Sequence, residues 1–182
     1  IRPDFVFTDI RGNVETRIEK CDNGDYDAIL LSEAGLVRLG LKDRISESLN
    51  PKSFVPAPGQ GVIALQCRTD DAHTKSLCRS ITSDEQWLIS SVEYAFMCAI
   101  GLGCDFPLGA YTELIGSEIY FLVYLKTKSG EEELVQTQFP RQTAVEDARR
   151  LGKKLHQKCL ASLGHAFAGV ESTTTDVIVG GM

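Results

Sequence analysis

Two groups of residues have the types and spacing to do chemistry. The first is Cys104, in the run Gly101-Leu102-Gly103-Cys104-Asp105-Phe106-Pro107-Leu108-Gly109. A thiol between glycines, at the end of an apolar helix-like run and just before a proline-fixed turn, is lifted off the helix on a loop that lets a bulky group approach the backbone. That suits a cysteine carrying a covalent group; the competing reading is a small thiol packed as a hydrophobe. The second group is Arg11 and Arg17, which bracket the start of a helix. Free backbone N–H groups and two guanidinium groups converge there, a good site for a carboxylate or a phosphate. An isolated arginine is otherwise a solvated surface charge.

The other candidates are weaker. His73, His156 and His165 stand apart without ligand spacing and receive no catalytic role, and nothing points to a metal. The six cysteines contain no CxxC pair, which argues against zinc and a disulfide framework and for a reducing, intracellular compartment. Pro56-Ala57-Pro58-Gly59-Gln60-Gly61 has neither the GxGxxG nor the Walker lysine pattern and reads as a rigid connector.

The elements that must position these residues follow from pattern. Residues 5–10 read as a strand running into Arg11. Asn13 is a helix N-cap, with the helix running to about Cys21 and ending at Asn23-Gly24. Residues 27–31 read as a buried parallel strand, and Ser32 caps a short helix over 33–39 that Gly40 stops. Strand, helix, strand, helix predicts an α/β unit with a mainly parallel sheet, whose ligands gather at the carboxyl ends of the strands. Arg38 falls late in the short helix. A further strand is expected over 62–67.

Ser83-Asp84-Glu85-Gln86 has capping-box spacing and opens a long helix to about Ile100, with Trp87, Val92 and Phe96 on its core face. Three strands follow over 110–115, 118–126 and 132–139, with turns at Ser117 and Ser129-Gly130. An amphipathic helix over about 143–163 carries Ala144, Ala148, Leu151, Leu155 and Cys159 on one stripe. Residues 83–163 thus predict a small α+β domain, two helices over an antiparallel sheet. The tail is polar until Val177-Ile178-Val179, a triplet able to dock as a short strand.

The 182 residues allow one large domain or two small ones. A net charge of −6 excludes a general nucleic-acid-binding surface, so a local arginine cluster stands out. No apolar run approaches the ~20 residues needed to span a bilayer. The chain opens on Ile1, which implies either N-terminal processing or a piece of a longer protein.

Five stretches together resemble one family. Arg11-Gly12-Asn13-Val14-x-Thr16-Arg17, Asp27-Ala28-Ile29-Leu30-Leu31, Ala34-Gly35-Leu36-x-Arg38-Leu39-Gly40, Pro56-Ala57-x-Gly59-Gln60-Gly61 and Gly103-Cys104-x-x-Pro107-x-Gly109 are similar, in order and spacing, to porphobilinogen deaminase, also called hydroxymethylbilane synthase. The resemblance implies a three-domain transferase of tetrapyrrole biosynthesis that joins four porphobilinogen molecules head to tail with loss of ammonia. It implies a dipyrromethane primer held by a thioether on Cys104, beside Gly103. Arg11, Arg17 and Arg38 match the family's cofactor- and substrate-binding arginines, and Gln60 matches a connector residue near the cleft. Arginine suits this role because it holds carboxylates bidentately and never loses its charge.

The resemblance further implies a partial periplasmic-binding-protein-like α/β domain followed by the α+β domain. Residues 1–55 would be the latter part of domain 2, 56–82 a connector and segment returning to domain 1, 83–164 the cofactor-carrying domain 3, and 165–182 a tail. The family's catalytic aspartate belongs to a part absent from this sequence, so no catalytic residue is assigned and the chain alone is expected to be inactive. Three positions depart from the family: Tyr94 where an arginine is usual, Gln66 where a glutamate is common, and Asp105 where a glutamine is common. The expected substrate is porphobilinogen, without nucleic acid or membrane, in a monomeric cytoplasmic or plastid enzyme. A non-catalytic carboxylate- or anion-binding module of the same fold is the alternative.

Overall fold

Asn13 begins the first helix as its sequence predicts. Its side-chain oxygen accepts the N–H of Thr16 at 2.8 Å, a cap contributing about 1 kcal/mol, and α1 runs over Val14–Asp22 with Ile18 buried beneath it. Gly24, at φ 82°, takes the chain out of the helix. A second helix, α2, spans Glu33–Arg38, buries Leu36 and is stopped by Gly40 at φ 72°. Side-chain bonds tie these pieces together: Arg44 pairs with Asp22 at 2.5 Å, and the Ser48 hydroxyl donates to Glu33 at 2.9 Å. These residues make up one compact unit, Ile1–Ser48; Leu49–Met182 makes up the other. The computed structural model describes residues 3–102, 106–127, 130–163 and 178–180, with backbone alone for 160–163 and 178–180.

Two expected strands of the first unit do not form. Residues 5–10 and 27–31 are irregular, and their apolar side chains are largely in solvent: Val6 is 87%, Phe7 83% and Leu30 65% exposed. The physical reason is that a strand exists only through a neighbour. An apolar or alternating run marks a face, but the N–H and C=O groups must still find a ladder, and the described residues of this unit supply no partner strand.

The second unit is built around α4, Asp84–Ile100. Ser83 caps it by accepting the Gln86 N–H at 3.3 Å, and Gly101, in the left-handed conformation at φ 58°, ends it. Against it packs a three-stranded antiparallel sheet in the order β2 (Leu108–Ile115), β3 (Glu118–Lys126), β4 (Glu132–Pro140). The last long helix, α5, spans Ala144–Leu163. Val92, Phe96 and Ile100 of α4, Ile119, Phe121, Val123 and Leu125 of β3, and Ala148, Leu155 and Cys159 of α5 form one buried cluster. Phe96 and Phe121 meet edge to face at 5.3 Å. Trp87 stands outside that cluster, its ring covered by the Arg79 guanidinium at 5.2 Å.

The central strand β3 is buried over most of its length, and residues 49–61 run beside the sheet. This strap lies along the sheet's β2 edge. Pro56 C=O accepts the Ala110 N–H at 2.8 Å, and Lys52 pairs with Glu113 at 2.7 Å while lying over the Tyr120 ring at 4.9 Å. Gly109 makes the approach possible, since a methyl group there would sit 2.8 Å from the Val55 carbonyl.

Beyond the strap come β1, Ile63–Leu65, shorter than expected, and α3, Ala72–Ser80. The sequence reading missed α3, although its cap was visible: Asp71 accepts both the N–H and the hydroxyl of Thr74. Ile178 and Val179 of the expected triplet do dock, in β5 (Ile178–Gly180), antiparallel to β1 with Ala64 opposite Val179, while Val177 lies outside the described residues. No helix among the described residues is long and apolar enough to cross a membrane.

α4 and α5 pack closely at Gly152, where a methyl group would lie 2.8 Å from the Phe96 carbonyl and 2.8 Å from the Ala99 side chain. Backbone cannot yield as a side-chain tip can, so Gly152→Ala is expected to destabilise the second unit by about 1–3 kcal/mol. Urea unfolding followed by circular dichroism measures this; an unchanged midpoint would show that the helices separate freely.

Candidate cofactor site

Arg17 folds back onto the turn that follows Arg11. The Arg17 Nε donates to the Gly12 carbonyl at 2.8 Å, folding its guanidinium back onto the segment that leads into α1. Lys20 does the same one turn later, its ammonium donating to the Arg11 carbonyl at 3.1 Å. Gly12 takes φ 126°, and an added methyl would lie 2.9 Å from the Thr16 side chain. Side chains from the helix therefore brace the turn that precedes it. The result is three cationic side chains at the N-terminal end of α1, where the helix dipole also favours negative charge. Arg11 itself is exposed. Lys20 was not singled out from sequence; its spacing of three from Arg17, on the same face of the helix, was the available signal.

Arg38 ends α2 as an exposed side chain, set on a different element from the Arg11–Arg17 turn. Gln60 belongs to the second unit and is exposed on a double turn, in which Gln60 N–H reaches Ala57 C=O at 3.0 Å and Val62 N–H reaches Gly59 C=O at 3.1 Å. Gly103 and Cys104, with Asp105, lie outside the described residues. The chain on either side of them is described: Leu102 on one side, and Phe106 and Leu108 on the other, pack against the buried cluster of the second unit.

The Gln60 turn is held from below by a residue that sequence reading passed over. Glu93, buried on α4, accepts the Gly59 N–H at 2.7 Å. Its burial pushes the carboxyl above the ordinary glutamate range, and the hydrogen bond from Gly59 counters this only in part. Next to it Tyr94, 40% exposed, faces outward. A hydrogen bond with Cys98, one turn along the helix, raises the phenol's pKa.

Comparison with known families decides what these sites belong to. Residues 1–76 match the model described as porphobilinogen deaminase, dipyromethane cofactor binding domain, and residues 87–161 match that of porphobilinogen deaminase, C-terminal domain. The chain belongs to the porphobilinogen deaminase family. The family is one of transferases of tetrapyrrole biosynthesis with a dipyrromethane cofactor. The braced Arg11–Arg17 turn, α2 with Arg38 and the Gln60 turn all fall within the cofactor-domain match. The donor set fits such a group: pyrrole acetates and propionates are carboxylates, and Arg11, Arg17 and Lys20 offer permanent or near-permanent positive charge at a helix start.

Because Glu93 binds its proton more tightly in the fold than in the unfolded chain, its contribution to stability is complete below the ordinary glutamate value of 4.5 and is lost as pH rises through its raised folded value. Glu93→Gln keeps a carbonyl for Gly59 and has no proton to lose, so its stability relative to the native protein is expected to grow as pH rises from 4.5 to the raised folded value and to level off above it. Glu93→Ala instead strands the Gly59 N–H and is expected to cost about 1–3 kcal/mol. Urea unfolding across a pH series checks both, and a difference between native and Gln forms that does not vary with pH contradicts the assignment.

Proposed function

We propose that this chain forms the primer-holding part of a porphobilinogen deaminase, which condenses four porphobilinogen molecules into hydroxymethylbilane with loss of ammonia. The observation that carries the reading is the braced cationic turn at Arg11–Arg17, lying inside the stretch that matches the cofactor-binding domain. The dipyrromethane, when bound, supplies the free pyrrole end to which substrate is joined.

The chain's own residues hold and orient it. Arg11 and Arg17 bind its carboxylates from the helix start, with Lys20 fixing the turn, and each charge-assisted hydrogen bond contributes about 1.5–3 kcal/mol. Arg38 and Gln60 make further polar contacts with cofactor or substrate. Cys104 forms the thioether, on a loop whose flanks are packed into the core of the C-terminal domain. In this reading residues 1–55 belong to domain 2, 56–82 return toward domain 1, and 83–164 are domain 3.

The same reading makes residues 1–182 inactive by themselves. The exposure of Val6, Phe7 and Leu30, on segments that found no sheet partner, supports a need for further chain to complete the first unit. A second reading, a carboxylate-binding module without turnover, draws on Tyr94, which cannot form the ion pair that an arginine there would.

Intact mass and peptide mapping of the native polypeptide containing these residues separate the two. A two-pyrrole adduct on Cys104, lost together with hydroxymethylbilane formation in Cys104→Ser, is the expected result. A bare Cys104 and unaltered carboxylate binding in Cys104→Ser would establish the module instead. Hydroxymethylbilane made by residues 1–182 alone would contradict the dependence on further chain.

A further inference from the structure

Gln60 stands on a turn that two different elements of the second unit hold. The strap meets the sheet first: Val55 lies against Gly109, and the Pro56 carbonyl accepts the Ala110 N–H of β2 at 2.8 Å. Three residues later it meets α4, where Glu93 Oε2 accepts the Gly59 N–H at 2.7 Å. Glu93 is 8% exposed and sits near the middle of α4, beside the fully buried Val92. Its acceptor is therefore fixed by the core and does not share the fraying of a helix end. A strap held at Pro56 alone could pivot about that one bond; the second anchor, on a different element, removes the pivot. Gly59 carries no side chain, so the exposed Gln60 is the first residue past the anchor that can offer a polar side-chain group.

We propose that Glu93 is the positioning residue for Gln60: by holding the Gly59 N–H it sets the direction in which the next side chain leaves the strap. The inference rests on the reading of Gln60 as a polar contact with cofactor or substrate, and every group it uses belongs to the second unit. A hydrogen bond weakens steeply as its angle falls, so a turn free to rock would keep Gln60 exposed yet lose most of its contact. Glu93 itself is buried beneath the turn and acts through it.

The test uses the native polypeptide with its primer attached and has two readouts: amide hydrogen exchange over residues 57–62, and kcat/KM for porphobilinogen. Glu93→Met keeps an unbranched side chain of similar length but removes the acceptor. It is expected to speed exchange over 57–62 without changing exchange in β3, and to lower kcat/KM about tenfold, the size of one lost hydrogen bond. Glu93→Gln, which keeps a carbonyl for Gly59, is expected to stay within about twofold of the native protein in both. Gln60→Ala is expected to lower kcat/KM about tenfold, and Gln60→Ala combined with Glu93→Met to lower it no further, because both changes remove the same contact. If Glu93→Met does not fold, Glu93→Asp takes its place, since its carboxylate falls one bond short of Gly59, and the same losses are expected. Native exchange or native kcat/KM in the Met or Asp form, a Gln form as impaired as either, or losses that multiply in the double variant overturn the proposal and leave the reading of Gln60 standing. A Gln60→Ala form with native kcat/KM overturns that reading, and this inference with it.

Discussion

The close crossing of α4 and α5 is the constraint on which the second unit depends. At Gly152 the two helices approach until the space between them is smaller than a methyl group. That distance is only available to glycine, and it determines what the neighbouring residues can do. Ala148 and Leu155, one turn to either side of Gly152, are drawn into the same buried cluster as Phe96 and Ile100. The sheet then closes the core by laying Ile119, Phe121, Val123 and Leu125 against the helices. With each fully buried aliphatic or aromatic side chain contributing about 1.5–3 kcal/mol, this one cluster is the main favourable term for the unit. The crossing also brings His156 within reach of the Ile100 carbonyl, so a packing requirement and a polar contact at the end of α4 share one origin.

Glu93 shows how the same helix serves a second purpose. Its carboxyl is taken out of water, a cost that a purely structural core would avoid, and its bond to Gly59 offsets that cost only in part. What the arrangement provides is a fixed attachment between α4 and the turn that carries Gln60. The strap is otherwise held at Pro56 by a backbone bond and at Lys52 by an ion pair on the surface, where exposed pairs contribute roughly 0–1 kcal/mol. Glu93 is the buried anchor among these, and it lies on the element that also leads to Cys104.

Local signals in the sequence carried the second unit well and the first less well. The Ser83 cap, the end of α4 at Ile100, the three strands and the stripe on α5 were all legible, because each is specified by residues within a few positions of one another. The strands expected at 5–10 and 27–31 failed for the complementary reason, since an apolar run announces a face but not the neighbour it pairs with. Long-range partners left no local trace either. Nothing near Glu93 marks Gly59 as its donor, and nothing near His156 distinguishes it from a surface histidine. Both are long side chains whose partners are backbone groups, and a backbone group has no residue identity to be read. The cationic turn stood between these cases: Arg11, Asn13 and Arg17 were visible as a helix start, whereas the folding of Arg17 and Lys20 onto its carbonyls depends on the turn at Gly12.

Charge bears on how the proposed carboxylate site at this turn would work in a protein that is acidic overall. With a net charge of −6, the protein as a whole repels a polycarboxylate, and in physiological salt both that repulsion and any attraction fade beyond about 8 Å. Binding must therefore come from contact rather than from a long-range field. Arg17 and Lys20 donate to backbone carbonyls as well as carrying charge, so they are held in place before an acid arrives, and little side-chain entropy remains to be lost on binding. A carboxylate that reaches the start of α1 meets cations already oriented, together with helix N–H groups. An acid whose carboxylates are spaced to meet only one of them gains little. In the proposed carboxylate-binding role, selectivity for a particular arrangement of carboxylates would follow from the bracing of the turn, which begins with the φ of 126° at Gly12.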